Sequence, residues 1–292
     1  MPHRLRPVLL VAPFVLAGIF LAVGMLRDDP ARSASSLSRT PQADTVLSGE
    51  RRGTPTFADD FDGKQLDTGR WNRCHWWGPD GCTISGNHEL EWYNADGVST
   101  AGGALRLTAT RQPMRGSDGK QYAYRSGMVT TGRSSSDRRS TSKFAFTYGY
   151  VEARVRVPKG AGLWPALWLL PATNRSLPEI DLFEIRGSAT DRLSMHLHTS
   201  SGGKEVSIGE HWAGADLSTS WHTFALDWRA GSLRWLIDGV PVWEITGPQV
   251  PSEPMYLIAN LAVGGDWPGP PNAQTPFPAT FEIDFIRVWA SS

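Results

Sequence analysis

The sequence has only two cysteines, no surplus of either charge, no stretch with a sustained helical period and no internal repeat. Each absence closes off a class of protein. Lys and Arg number 29 and Asp and Glu number 29, so there is neither the basic excess that draws nucleic acid nor an acidic tail. No nucleic acid partner is expected, and a neutral one is. The first cysteine is Cys74, so no thiol follows the apolar N-terminal segment to carry a lipid. In an oxidising compartment Cys74 and Cys82 read as one disulfide closing a short loop, the alternative being two free thiols.

Tryptophan is what the chain has in excess, with 13 residues. An indole is costly to bury unless its N–H finds an acceptor, so this many suggest work at a surface or cleft as well as in a core. At the N-terminus His3, Arg4 and Arg6 precede an uncharged, largely apolar stretch over residues 7–26. That is the order of an export segment, which places the chain outside the cytoplasm, extracellular or at the cell surface. The stretch approaches the roughly 20 residues that span a bilayer. Residues 1–30 therefore read either as a signal peptide, with a cleavage site around Ala31, Ser33 and Ala34, or as an uncleaved membrane anchor. Residues 31–55, rich in Ser, Arg, Thr, Gly and Pro, have the composition of a disordered linker.

Beyond that point, over residues 56–292, short β-rich runs separated by Gly, Pro, Asn, Asp and Ser recur to the end, which predicts one all-β domain. Residues 104–110 alternate apolar and polar, and Val151, Ala153, Val155 and Val157 alternate with Glu152, Arg154 and Arg156. Residues 223–228 and 233–238 form a hairpin pattern around Arg229-Ala230-Gly231-Ser232, and Asp238-Gly239 marks the next turn. The last run, 281–289, alternates again and is expected beside the first strand, near Phe57. Antiparallel strands in this number predict a sandwich or jelly roll, with one sheet curved into a concave cleft.

Residues 177–187, Leu-Pro-Glu-Ile-Asp-Leu-Phe-Glu-Ile-Arg-Gly, carry the chemistry. On a regular strand Glu179 and Asp181 share a face, and the next residue on it is Phe183. Glu184 comes one residue late. A β-bulge near Leu182 or Phe183 returns it to that face, and bulges are frequent beside active sites. With one residue absorbed, the Cα atoms of Glu179 and Glu184 stand about 13 Å apart at ~3.3 Å per residue. Two glutamates leaning inward then bring their carboxyls to roughly the 5 Å of a retaining glycosidase. Mutual repulsion raises at least one pKa and keeps a proton on the group near neutral pH. The alternatives are a solvated acidic face, or a calcium or magnesium site, for which the Gly-punctuated loop is missing.

The surrounding motifs resemble glycoside hydrolase family 16. They are residues 149–158 (Gly-Tyr-Val-Glu-Ala-Arg-Val-Arg-Val-Pro), 162–171 (Gly-Leu-Trp-Pro-Ala-Leu-Trp-Leu-Leu-Pro) and the acid strand 179–184. Further matches fall at 60–63, 87–93, 126–130, 222–228, 260–269 and 277–289, so the resemblance runs in order from about Phe57 to Trp289. The laminarinase-like branch, with its bulged acid motif, is the nearest in pattern. It implies a β-jelly roll of the concanavalin-like lectin and glucanase architecture, with a concave substrate face. By position it makes Glu179 the nucleophile, Glu184 the general acid/base and Asp181 the residue assisting the nucleophile. The implied activity is endo-hydrolysis of β-1,3-glucan or mixed-linkage β-1,3-1,4-glucan by a monomer, with no cofactor required for catalysis. A structural calcium at Asp60, Gly103 and Asp284 is also implied. Rival readings are a hydrolase or transglycosylase for another polysaccharide such as a β-galactan, and a silent glucan-binding module. Departures from the family pattern are Met128 after Ser126-Gly127, the basic run 134–139 and the segment 194–199.

Around this centre, Trp164 and Trp168 are placed to stack on sugar rings, core being the alternative, and Trp267 in a Gly- and Pro-rich loop is expected at a distal glucosyl subsite. Trp71, Trp221, Trp228, Trp235 and Trp289 are expected to pack. Asn87 is a candidate sugar-hydroxyl ligand or a turn former. His196 and His198 share a strand face. One strand supplies only two metal ligands and no third is visible in sequence, so His198 is read as a hydrogen-bonding partner of the sugar or the acid/base, with a plain surface histidine as the alternative.

Overall fold

Alternation of buried and exposed residues decides where the strands of the computed structural model run. Its described residues are 53–77, 81–137 and 139–291. The expected signal or anchor over 1–30 and the linker up to residue 52 lie outside them. All fall in one unit, Thr45–Ser292. The larger sheet has the order Val240–Thr246, Ser232–Ile237, His222–Arg229, Gly149–Arg156, Ala279–Ala290, Leu105–Ala109, Val98–Thr100, and Phe57–Asp59 also pairs with Ala279–Ala290. The second sheet has the order Lys204–Ala213, Arg192–Ser201, Glu179–Glu184, Leu163–Pro171, Met255–Val263, Met128–Thr130. Pairing within both is antiparallel.

The expected strands are found. Val151, Ala153 and Val155 are buried between the sheets with Leu105 and Leu107, and Phe57 pairs with Val288 as the end-to-end closure required. The hairpin at 229–232 is tighter than its sequence pattern, since Arg229 pairs directly with Ser232. At Asp238 (φ 50°) and Gly239 (φ 77°) both central residues are left-handed, the condition of the two-residue turn that matches strand twist. Three fully buried indoles find acceptors: Trp71 donates to Asp59, Trp228 to the carbonyl of Pro251 and Trp235 to the carbonyl of Asp181. Trp221 and Trp289 are only half-buried; the guanidinium groups of Arg154 and Arg156 cover Trp221. Cys74 and Cys82 form the disulfide.

The bulge is where the pattern required it. Opposite Arg192–Ser201, Asp181 pairs with His196 and Glu184 with Ser194, so three steps on one strand meet two on the other. Opposite Leu163–Pro171, Asp181 pairs with Trp168 and Phe183 with Leu167, which makes Leu182 the extra residue. Leu182 and Phe183 both turn into the core, 2 % and 0 % exposed. Phe183 meets Phe224 at 4.5 Å and Phe281 at 6.1 Å between ring centres, and both belong to the opposite sheet. The bulge is thus fixed from below by aromatic packing. Phe183→Ala is expected to destabilise the full-length protein by about 3–5 kcal/mol in urea unfolding, the range for emptying a buried aromatic site. A loss below about 1 kcal/mol would mean that the core does not hold the bulge.

Candidate active site

Because of the bulge, Glu179, Asp181 and Glu184 all project from the face of the smaller sheet that is turned away from the core. The neighbouring strand sets His198 opposite Glu179, His196 opposite Asp181 and Ser194 opposite Glu184. Acids and imidazoles therefore interdigitate. Nδ1 of His196 lies 3.0 Å from Glu184 Oε2 and 3.8 Å from Asp181 Oδ2. Nε2 of His198 lies 3.3 Å from Asp181 Oδ2 and 3.8 Å from Glu179 Oε1, while its Nδ1 lies 3.6 Å from Glu205 Oε1. Gly209, the strand partner of His196, leaves room for that ring: a Cβ there would sit 2.2 Å from Cδ2 of His196. His198, expected beside the sugar or the acid/base, lies instead against Asp181 and Glu179, and it is His196 that touches Glu184.

Burial and like charge act together on the acids. Asp181 is 2 % exposed, and Oδ2 has no hydrogen-bond donor. Burial, followed by repulsion from Asp181, pushes the Glu179 carboxyl well above the usual range, against the pull of His198. Burial and then Glu184 push Asp181 up in the same way, against His196. Of the trio, Glu179 and Asp181 are thus the two whose hold on a proton is strengthened.

Two further acids stand nearby. Glu89 and Glu91 share a face of Glu91–Tyr93 and its approach, and both are buried. Glu89 accepts from the backbone N–H of Ile84 and from Asn87 Nδ2, and Glu91 accepts from the N–H of Val263. Burial raises Glu89 to about 7, and burial with repulsion from Glu89 raises Glu91 as well. Sequence reasoning passed over this pair, although its period-two spacing is the same signal that marks Glu179 and Asp181. Tyr93 continues the network: Asn260 donates to its hydroxyl, and Trp168 Nε1 donates to Asn260 Oδ1 at 2.7 Å.

That bond settles the two roles open for Trp168. At 7 % exposure it packs with Tyr93, Met128, Tyr256 and Ile258, so it belongs to a buried cluster and not to an open stacking face. Trp164 stays near the surface, 5.2 Å from Trp267, which is 36 % exposed, and the guanidinium of Arg186 covers Trp267 at 5.2 Å. Asn87 ends a short helical turn, and its side-chain amide goes to Glu89. Its carbonyl receives the N–H of Asp266, which ties the turn to the Trp267 loop.

The two acids expected to hold calcium each meet an arginine here. Asp60 pairs with Arg287 at 2.7 Å and Asp284 with Arg154 at 2.7 Å, so each acid already has a counter-charge. Gly103 lies beside Asp62, whose Oδ1 would be 3.5 Å from a Cβ at that position. Each of these ion pairs crosses from one strand or loop to its neighbour, which the order of residues along the chain does not reveal.

Comparison with known proteins gives one consistent answer. A model of the family described as "Glycosyl hydrolases family 16" matches residues 87–286. The chain is 32 % identical to the endo-1,3-1,4-beta-glycanase EglC of Rhizobium meliloti over 252 residues, 81 % of this chain and 52 % of that protein. It spans about half the length of the curated relatives it matches first. Among solved structures, the endo-beta-1,3-glucanase from Pyrococcus furiosus superposes with a TM-score of 0.71 at 29 % identity, covering 81 % of this chain and 94 % of that one. The laminarinase catalytic domain from Thermotoga maritima gives 0.70 at 29 % identity, covering 82 % and 98 %.

The raised acids make a stability prediction. A carboxyl whose folded pKa lies above its unfolded value binds more protons when folded, so its contribution is full below the unfolded pKa and lost as pH rises through the folded one. Glu179→Gln is therefore expected to raise the Tm of the protein at pH 7 and to leave it nearly unchanged near pH 4, as read by calorimetry. An equal shift at both pH values would deny the raised pKa. The solved structures agree with the two antiparallel sheets, and the family model and the relatives point to the same family: the chain is a β-jelly-roll protein that belongs to glycosyl hydrolase family 16.

Proposed function

We propose that this chain is a retaining endo-hydrolase of β-1,3-glucan or mixed-linkage β-1,3-1,4-glucan, with Glu179 as nucleophile, Glu184 as general acid/base and Asp181 assisting Glu179. The observation that carries this reading is the bulge at Leu182, which puts all three carboxyls on one face. It is supported by relatives and structural neighbours named as β-glucanases. An extracellular or cell-surface location, with residues 1–30 as signal or anchor, suits a polymeric substrate too large to enter a cell.

In the first step, a carboxylate oxygen of Glu179 attacks the anomeric carbon. The bond from that carbon to the glycosidic oxygen breaks, and the proton of the Glu184 carboxyl passes to the departing oxygen. In the second step, the Glu184 carboxylate takes a proton from water, whose oxygen attacks the same carbon and releases Glu179. Glu179 must be ionised to attack, which its surroundings resist. A proton retained on Asp181 removes the nearest repulsive charge and lets that carboxyl donate to Glu179 as the nucleophile ionises. Next to the acids, His196 holds Glu184 at 3.0 Å, while Trp164 and Trp267 offer apolar ring faces to the C–H surfaces of glucosyl units farther along the chain.

The purified full-length protein is expected to release reducing ends from laminarin and lichenan, and much less from agarose or a galactan. Release from none would remove the hydrolase reading, and release from the galactan alone would redirect it to the rival substrate. Glu179→Gln is expected to lower kcat by at least ~10⁴-fold, in line with loss of a nucleophile. For Glu184→Gln, loss of the proton donor costs about 10²–10⁴-fold. NMR of the first-formed product should show the retained anomer; an inverted one contradicts the paired roles. Gly209→Ala, which crowds His196, is expected to lower kcat about tenfold or more with little change in KM, because a small displacement of a reacting group is costly. The acidic limb of the rate profile should lie above the ordinary glutamate range, since activity is lost as pH falls through the raised pKa of Glu179.

A further inference from the structure

A second chemistry is built into the same face. His196 and His198 come from one strand, and the neighbouring strand supplies the third ligand that sequence spacing could not show: Asp181. One ligand atom from each of the three residues lies within 4.8 Å of the other two. Measured from Asp181 Oδ2, His198 Nε2 is at 3.3 Å and His196 Nδ1 at 3.8 Å. A tetrahedral zinc with bonds of about 2.0–2.1 Å holds its ligand atoms roughly 3.3 Å apart, so the two pairs with Asp181 are within ~0.5 Å of that spacing and the widest pair must close by at most ~1.5 Å.

We propose that Asp181, His196 and His198 form a site for a divalent transition-metal ion of the zinc class, and that its occupation blocks the catalytic carboxylates.

The donor set selects the ion. Two imidazoles and one carboxylate suit zinc and its neighbours, whereas calcium and magnesium require oxygen shells. Asp181 Oδ2 supplies an independent sign of a ligand, because it is a buried acceptor with no hydrogen-bond donor. The far nitrogen of His198, Nδ1, faces the Glu205 carboxylate at 3.6 Å, so a small approach would supply the outer hydrogen bond that zinc-binding histidines usually make. Around His196, Gly209 leaves the space that keeps the ring in place. The next histidine, His211, lies outside this cluster, with its Nδ1 on Ser194 Oγ at 2.9 Å. Three protein ligands leave a fourth position open, beside Glu184 Oε2 and Glu179 Oε1. An ion there would have the Glu184 carboxylate within reach. Coordination uses the lone pairs of neutral imidazoles and an ionised carboxylate, so any protons on these atoms leave to the buffer. The inhibitory effect rests on the hydrolase reading above; the site itself does not.

The test is isothermal titration of the full-length protein with zinc chloride, with magnesium chloride as control, in two buffers of different ionisation enthalpy. One equivalent of zinc is expected to bind, magnesium is not, and the difference between buffers should report released protons. His196→Gln should weaken zinc binding at least tenfold. Glu205→Gln, at an exposed edge-strand position that does not threaten folding, should weaken it about tenfold through the outer contact. No zinc binding by the parent protein, or binding unchanged in Glu205→Gln and in a folded His196→Gln, would overturn the site. Laminarin hydrolysis should fall in step with occupancy and return with EDTA. Binding without inhibition would overturn the blocking role, and a chain that binds zinc yet hydrolyses no glucan would sink the hydrolase reading alone.

Discussion

One extra residue in one strand, Leu182, sets the chemistry of the whole face. A regular strand cannot put Glu179, Asp181 and Glu184 on one side, because its side-chain period is two and the last interval is three. The bulge corrects the count by sending Leu182 and Phe183 together into the core, where the opposite sheet receives them through Phe224 and Phe281. The carboxyl array is therefore a consequence of packing beneath it. The Trp235 N–H fastens the same strand from the larger sheet by binding the carbonyl of Asp181. A core that failed to hold two consecutive apolar residues would lose the site before it lost the fold.

This arrangement opposes stability. Three acids share one face, one of them almost fully buried, and Glu179 and Asp181 resist ionisation. His196 and His198 partly offset the like-charge repulsion, and the bulge forbids the acids from separating. The same surroundings suit a reaction in which a proton must stay available near neutral pH and be passed on at a defined moment. Glu89 and Glu91 repeat the theme a short way off, buried and raised, but enclosed by backbone donors and Asn87. They fasten the turn at Asn87 to the strand that carries Tyr93.

Much of this was readable from residue order. The all-β architecture, the first and last strands side by side and the position of the bulge follow from period-two patterning and from one interval that did not fit it, and the disulfide from two cysteines eight residues apart. Resemblance to the family added the roles, which spacing alone left open. What was not readable depends on register between strands. His196 and His198 could be placed on one face, but their alignment with Asp181 and Glu184 requires knowing which strand lies alongside. The engagement of Asp60 by Arg287 and of Asp284 by Arg154 has the same origin. Trp168 shows a third limit: its face was predictable, but its burial depends on a distant Asn260 that accepts its N–H.

The account stands on the claim that the bulged strand presents Glu179 to the anomeric carbon. The most direct measurement is to trap the covalent intermediate with an activated 2-fluoro β-1,3-glucosyl donor, then map the label by peptide mass spectrometry. The account predicts one sugar per chain, ester-linked to Glu179. A label on Glu184 or Asp181, or rapid turnover of the natural substrate with no labelled peptide, would contradict it.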